Sequence, residues 1–430
     1  MERAAIAATR FGLGAAPGEI SRIGAVGAET WLTRQITFDP NPAFPDRSLK
    51  SSKDHLASLL ARRGAGRARP GDTQRLSAEA QRDIQKEVRQ TIIGEITARS
   101  RFASETTAPF HERLTLFWSN HFSVTAKNPQ TVSTVGAYER EAIRPNIAGS
   151  FATLLKAAVL HPAMLIFLDN VMSVGPNSRP GQRRGRGLNE NLAREILELH
   201  TVSSSSGYDQ EDVTEFARAL TGWTVGNRRI SASSTGETYF FSRIHEPGAR
   251  QVMGKRYADS GREQALSILD DLARHPATAR FVARKLAIHF IADAPPPSLV
   301  TRLERAFLES DGDLTAVYGS LITAPESWMR DQQKIKTPQE MLTSASRLLG
   351  LDAVFAGDPQ GVFSSLAQRP FNAPSPEGWP DQGADWLGPD AVMKRIEWAN
   401  RVAGRLGGAD ARRFLDDALG SLASAETRKA

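Results

Sequence analysis

Apolar residues recur at three- and four-residue intervals along most of the chain, and only a helix of 3.6 residues per turn puts such positions on one face. Segments with this spacing and with recognisable caps run over residues 73–104, 108–122, 132–146, 151–160, 190–201, 210–221, 263–274, 276–291, 298–309, 314–323, 338–349 and 391–406. Strand-like composition is confined to residues 224–257, where ISASS, ETYFFS and QVMGKRY are separated by turn residues. The expected fold class is therefore mainly α: a multi-helical globular array with a small β-hairpin excursion near residues 224–257, packed on helices. No internal repeat is found.

At 430 residues the chain can bury a large core without a staple. A single large helical unit is expected, with the alternative of two packed halves: residues 1–169, and residues 189–430 carrying the hairpin. A basic loop, 170–188, would connect them. A second long loop, 369–386 (RPFNAPSPEGWPDQGADW), is rich in proline and contains Trp379 and Trp386. Proline limits its chain entropy and the two indoles need cover, so an ordered loop lying across the body is expected.

Absence of cysteine excludes disulfides, thiolate zinc sites, thiol nucleophiles and cysteine-ligated iron-sulfur clusters. Lysine plus arginine exceed aspartate plus glutamate by only 54 to 48. The excess lies in RRGAGRAR at Arg62 and RPGQRRGR at Arg179, read as solvated loops, or else as sites for an anionic ligand or partner. They lack interleaved aromatics, so specific nucleic-acid recognition is not expected. No stretch approaches the roughly 18 apolar residues of a membrane helix, so no transmembrane segment is expected. The N-terminal MERAAIAATRFGLG has too short an apolar stretch for a leader, which points to a cytoplasmic location. FGLGAAPGE reads as a loop, and Asp311-Gly312-Asp313 as a helix cap.

Signatures of serine hydrolases, phosphate loops and dinucleotide folds are missing, as are HExxH and the Glu-x-x-His of carboxylate-bridged iron bundles. No nucleotide is implied. A divalent metal would have to be held by residues from distant segments. His121 ends the 108–122 segment beside Asn120, about 15 Å along the helix from His111, so those two histidines cannot share an ion.

The richest segment is NENLAREILELHT at Asn189. Asn189 can cap a helix on which Glu190, Arg194 and Glu198 form a charged ladder, opposite a stripe of Leu192, Ile196 and Leu199. Glu195 borders that stripe, so it is the carboxylate expected to be partly buried, with raised proton affinity unless a cation pairs with it. His200 approaches the stripe from its other side. In YDQEDVTEFARALTGW at Tyr208, Asp209 and Asp212 make a capping pair, and Arg218 and Trp223 point away from the core face. Asp169-Asn170 sits at the mouth of the basic loop, where it could bind a cation or polar ligand or simply turn the chain. His245 follows the expected hairpin, His275 reads as a cap, and His289 as core.

Several motifs, in order, resemble a bacterial family known as domain of unknown function 1800. They are RFGLG at Arg10, ERLTLFWSNHF at Glu112, IRPNIAGSFATLLKAAVLHPAMLIFLDN at Ile143, the Asn189 and Tyr208 segments, HPATARFVARKLAIHF at His275, KTPQE at Lys336 and PSPEGWPD at Pro374. The resemblance implies a helical bacterial protein, often exported, so a periplasmic or envelope location stands against the cytoplasmic one. It also implies a neighbouring partner resembling sulfatases and alkaline phosphatases. Its motifs overlap His121, Asp169, Asn170, Glu190, Arg194, Glu195, His200, Arg218, Trp223 and His245.

Two functional readings follow. In the first, an enzyme has a polar cleft around the 189–200 helix: Glu195 is general base or metal ligand, His200 and His121 are acid-base groups or ligands, and Arg194 orients an anionic substrate. Asp169, Asn170, Asn189, Glu190, Arg218 and Trp223 would contact ligand, and His121, Glu195 and His245 would hold a metal. In the second, a non-catalytic binding or assembly protein acts through its two long loops, exposing an apolar patch at Trp379 and Trp386.

Overall fold

The computed structural model describes residues 1–36, 46, 48–65, 78–184, 187–228, 230–331, 334–407 and 410–429. Residues 66–69 and 185–186 of the two basic stretches, and residues 73–77 of the long helix expected from residue 73, lie outside these. Among the described residues there are 22 α-helices and two small antiparallel sheets.

Local chemistry sets many of the helix starts. Asn128 and Thr131, Asp209 and Asp212, and Thr337 and Glu340 each form reciprocal capping boxes. His161 and His275 cap through Nδ1, each accepting the backbone N–H two residues on at 3.1 Å with proline in the first turn. Asp313 caps as expected, taking the Thr315 N–H at 2.9 Å.

Two expected helices are interrupted. The first runs as Pro129–Tyr138, widens into a π-helical turn Glu139–Ile143, and tightens into Arg144–Asn146, where Pro145 can donate no helical bond. The second is α-helical only over Asn191–Glu195 and then π-helical over Ile196–His200. The Thr201 hydroxyl there donates to the carbonyl of Ile196 at 2.6 Å. A third π turn, Ala7–Phe11, follows Glu2–Ile6, so the Arg10-Phe11 end of RFGLG is helical and only the stretch from Gly12 is loop.

Residues 223–257 form two hairpins instead of one. Strand β1 (Trp223–Val225) pairs with β2 (Thr238–Phe240), and β3 (Arg250–Val252) with β4 (Lys255–Tyr257). The second closes on Met253-Gly254, both at positive φ (49° and 75°), the turn whose twist matches paired strands. The ISASS segment is not strand.

One buried apolar cluster runs from Ala4 to Val402. At its centre Trp118 Nε1 donates to the Tyr318 hydroxyl (2.6 Å), which donates to the Ile147 carbonyl (2.8 Å). The chain ends are woven together: Arg10 donates to the Ser327 carbonyl at 2.6 Å, Arg347 pairs with Glu19 at 2.9 Å, and Gly18 N–H reaches Asp417 at 3.0 Å.

The 369–386 loop is laid across the body as expected. Ala126 N–H donates to the Phe371 carbonyl and the Thr125 hydroxyl to that of Ala373, both at 2.9 Å. Asn120 clasps Trp379 twice, accepting its N–H at 2.8 Å and donating to its carbonyl at 2.9 Å. Trp386 is buried and Trp379 half-buried, their rings 6.0 Å apart. Of the two indoles at which the binding reading expects an exposed apolar patch, Trp386 is buried and Trp379 keeps part of its surface exposed.

Candidate functional site

Clasping the loop to Asn120 encloses a cleft of about 100 Å³. Helix Pro109–His121 forms its floor, because Arg113, Leu116 and Asn120 fall at helical spacing on one face. Val135, Tyr138 and Glu139 close one side, at the junction where helix Pro129–Tyr138 passes into its π turn. Opposite lie Lys334, Ile335, Thr337 and Glu340, at the capped start of helix Pro338–Leu349, with His289 beside them. Phe371, Trp379 and Asp381 of the loop form the roof.

Each charge in the wall already has a partner. Arg99 grips Glu139 with Nε at 3.1 Å and Nη2 at 2.8 Å, and its guanidinium lies 4.8 Å over the Phe371 ring. The Ser119 hydroxyl donates to the same carboxylate at 2.9 Å. Across the cleft Arg113 pairs with Glu340 at 2.9 Å, donates to the Gly12 carbonyl at 3.0 Å, and donates through Nε to His289 Nε2 at 3.2 Å. That bond makes Nε2 the acceptor, so the ring proton sits on Nδ1. Lys334 is held by Asp293 and by the Asp381 carbonyl, both at 2.5 Å.

These pairings settle the protonation states. Burial works against ionised Glu139, but Arg99 and Arg144 outweigh it and leave its proton affinity below the usual carboxylate range. Burial likewise disfavours ionised Glu340, and Arg113 again prevails. Burial, with Arg113 adjacent, holds His289 neutral down to about 3. The lining thus carries three cations (Arg99, Arg113, Lys334) against three anions (Glu139, Glu340, Asp381).

The residues singled out from sequence lie elsewhere. His121 and His200 do meet: His121 Nε2 donates to the His200 carbonyl at 3.1 Å, and the rings are 6.0 Å apart. They are packed among Phe117, Trp118, Phe122 and Phe281, not in an open recess. Burial and the nearby Lys285 hold His200 neutral down to about 3, and burial pushes His121 well below its ordinary value. Glu195 is half-buried as expected; burial and the neighbouring Glu198 raise its proton affinity against the pull of Arg194. Arg194 bonds Glu190 at 3.1 Å and Gln210 at 2.9 Å, and Asn189 accepts the Asn191 N–H at 2.9 Å.

A separate group surrounds Trp223. Asn170 donates to the Leu220 and Trp223 carbonyls at 3.3 and 2.8 Å, while Asp169 faces solvent at φ 58°. His245 Nδ1 donates to the Thr221 carbonyl at 2.8 Å, and Arg218 pairs with Glu215. Among the described residues no three histidine, aspartate or glutamate side chains converge on a metal-sized point. Of the expected set of His121, Glu195 and His245, the first is packed against Trp118 and Phe122 and the third bonds the Thr221 carbonyl.

The sequence reading missed Arg99, Arg113, Glu139, Lys334 and Glu340, and His289 lines the cleft instead of only filling core. One signal was present. On its helix Arg113 is flanked at i−3, i+3 and i+4 by Phe110, Leu116 and Phe117, where a charge needs a buried partner.

Fold and site together define a helical protein with a charge-balanced cleft under an ordered proline-rich loop. The family model described as "Protein of unknown function (DUF1800)" matches residues 6–430, and the chain belongs to that family. No curated protein and no solved structure matches it.

Proposed function

We propose that the cleft binds a small molecule that is neutral or zwitterionic overall and carries an apolar or aromatic part. The observation that carries this reading is the balance of charge in an otherwise apolar recess. Arg99, Arg113 and Lys334 are spent on Glu139, Glu340 and Asp293, so a multiply charged anion would have to displace Asp293 or break a buried arginine pair to find a cation. Breaking such a pair costs about 3–5 kcal/mol. A neutral or zwitterionic group can join the existing bonds without that loss. Leu116, Val135, Phe371 and Trp379 offer the apolar part its contact surface. Holding, not proton transfer, suits these groups at neutral pH, since Glu139 and Glu340 stay ionised and His289 neutral.

The test is a ligand-observed NMR screen with fragments of net charge from about −2 to +2, run on the wild type and on Leu116→Trp, which fills the floor while sparing the ion pairs. Neutral and zwitterionic aromatic fragments should bind and should be lost in the variant. A hit list dominated by dianions, or one indifferent to the substitution, would overturn the reading.

A further inference from the structure

Lys336 opens the KTPQE motif, just before the cap of helix Pro338–Leu349, and its side chain runs along that helix to Ser344. Its Nζ lies 2.7 Å from Ser344 Oγ. Both residues are of intermediate burial. The backbone of Gly14 of RFGLG packs against this serine: a Cβ there would stand 2.1 Å from Ser344 Oγ, and the backbone is at φ 97°. Arg395 holds the other end, donating Nη1 to the Lys336 carbonyl at 2.8 Å, while its Nη2 is buried without a partner. Burial opposes the Lys336 charge, Glu340 favours it, and Arg113 opposes it, with the result that the amine titrates at about 8.

We infer that Ser344 and Lys336 form a nucleophile and general-base pair able to take an acyl group from an ester. Neutral Lys336 removes the Ser344 proton as Oγ bonds to the carbonyl carbon, and the carbonyl π pair moves onto oxygen. Collapse of that intermediate breaks the ester C–O bond, and the departing alkoxide takes the proton from the Lys336 ammonium. Water then attacks the acyl carbon as Lys336 takes its proton, the acyl C–Oγ bond breaks, the Lys336 ammonium returns the proton to Oγ, and the carboxylic acid departs with Ser344 and neutral Lys336 restored. This does not depend on the cleft reading, because neither residue lines the cleft.

A fluorophosphonate probe tests it on the intact chain. Oγ displaces fluoride from phosphorus, the proton passes to Lys336, and mass spectrometry locates the adduct. Adduct is expected on Ser344, with a labelling rate that rises with pH and is half-maximal near 8. Lys336→Met should slow it by about 100-fold, the lower range for loss of a general base. Leu116→Trp should label like the wild type. No adduct on Ser344 after prolonged exposure at pH about 9, where a base of this kind is neutral, would overturn the proposal. So would a rate unchanged in Lys336→Met. Should that variant not fold, a wild-type rate without an inflection near 8 would be equally decisive.

Discussion

Glu112 is fully buried in helix Pro109–His121 and is satisfied there by Arg144, whose Nη2 donates to it at 3.0 Å. Removing one partner strands the other in a dry interior, so Glu112→Gln should cost about 3–5 kcal/mol, read as a lower urea midpoint. The buried histidines make a second claim. His200 and His289 are held neutral to about 3, and His111 to about 4, against 6.5 in an unfolded chain. Below 6.5 the unfolded state takes up protons that the native state refuses. Their contribution is therefore complete at neutral pH and is lost as pH falls from 6.5 toward 3. Each adds a slope of about 1.4 kcal/mol per pH unit within that window. Acid titration of stability should be visibly shallower in His200→Phe; an unchanged slope would show that His200 is protonated in the native fold. At this scale caps such as Asp209-Asp212 were readable, because they signal within one turn. Arg113 and Glu340 were not, being 227 positions apart and carrying no local sign of each other.

Among the elements, the proline-rich loop has the sharpest test. Gly378 adopts φ 92°, and a Cβ there would stand 2.5 Å from the Asn120 carbonyl. Gly378→Ala should therefore break the clasp between Asn120 and Trp379, and residues 374–386 should exchange amide hydrogen faster while the helical core stays protected. Unchanged exchange would mean that the clasp does not hold the roof. Helix existence was readable from periodicity because long amphipathic runs are unambiguous. The π turns at Glu139–Ile143 and Ile196–His200 were not, since one inserted residue hardly disturbs the apolar pattern over five positions. That matters for site prediction. Past Ile196 a 3.6-residue wheel misplaces side chains, and His200 lies in an aromatic nest with His121 and Phe122.

At the scale of the molecule, the apolar cluster joins residues from Ala4 to Val402, and Arg347 reaches from the C-terminal part to Glu19 and the Gly14 carbonyl. We expect unfolding as one cooperative unit. Far-ultraviolet dichroism and tryptophan fluorescence should give coincident urea transitions, and residues 1–169 expressed alone should not fold. Two separate transitions would instead favour independent halves.

On this account ligand enters the charge-balanced cleft and not the surface of the Asn189 helix. Isothermal titration of the tightest zwitterionic fragment from the screen, with wild type, Leu116→Trp and Glu195→Ala, tests it directly. Binding should vanish in Leu116→Trp and persist at wild-type affinity in Glu195→Ala. The opposite pattern, with binding lost only when Glu195 is removed, would contradict it.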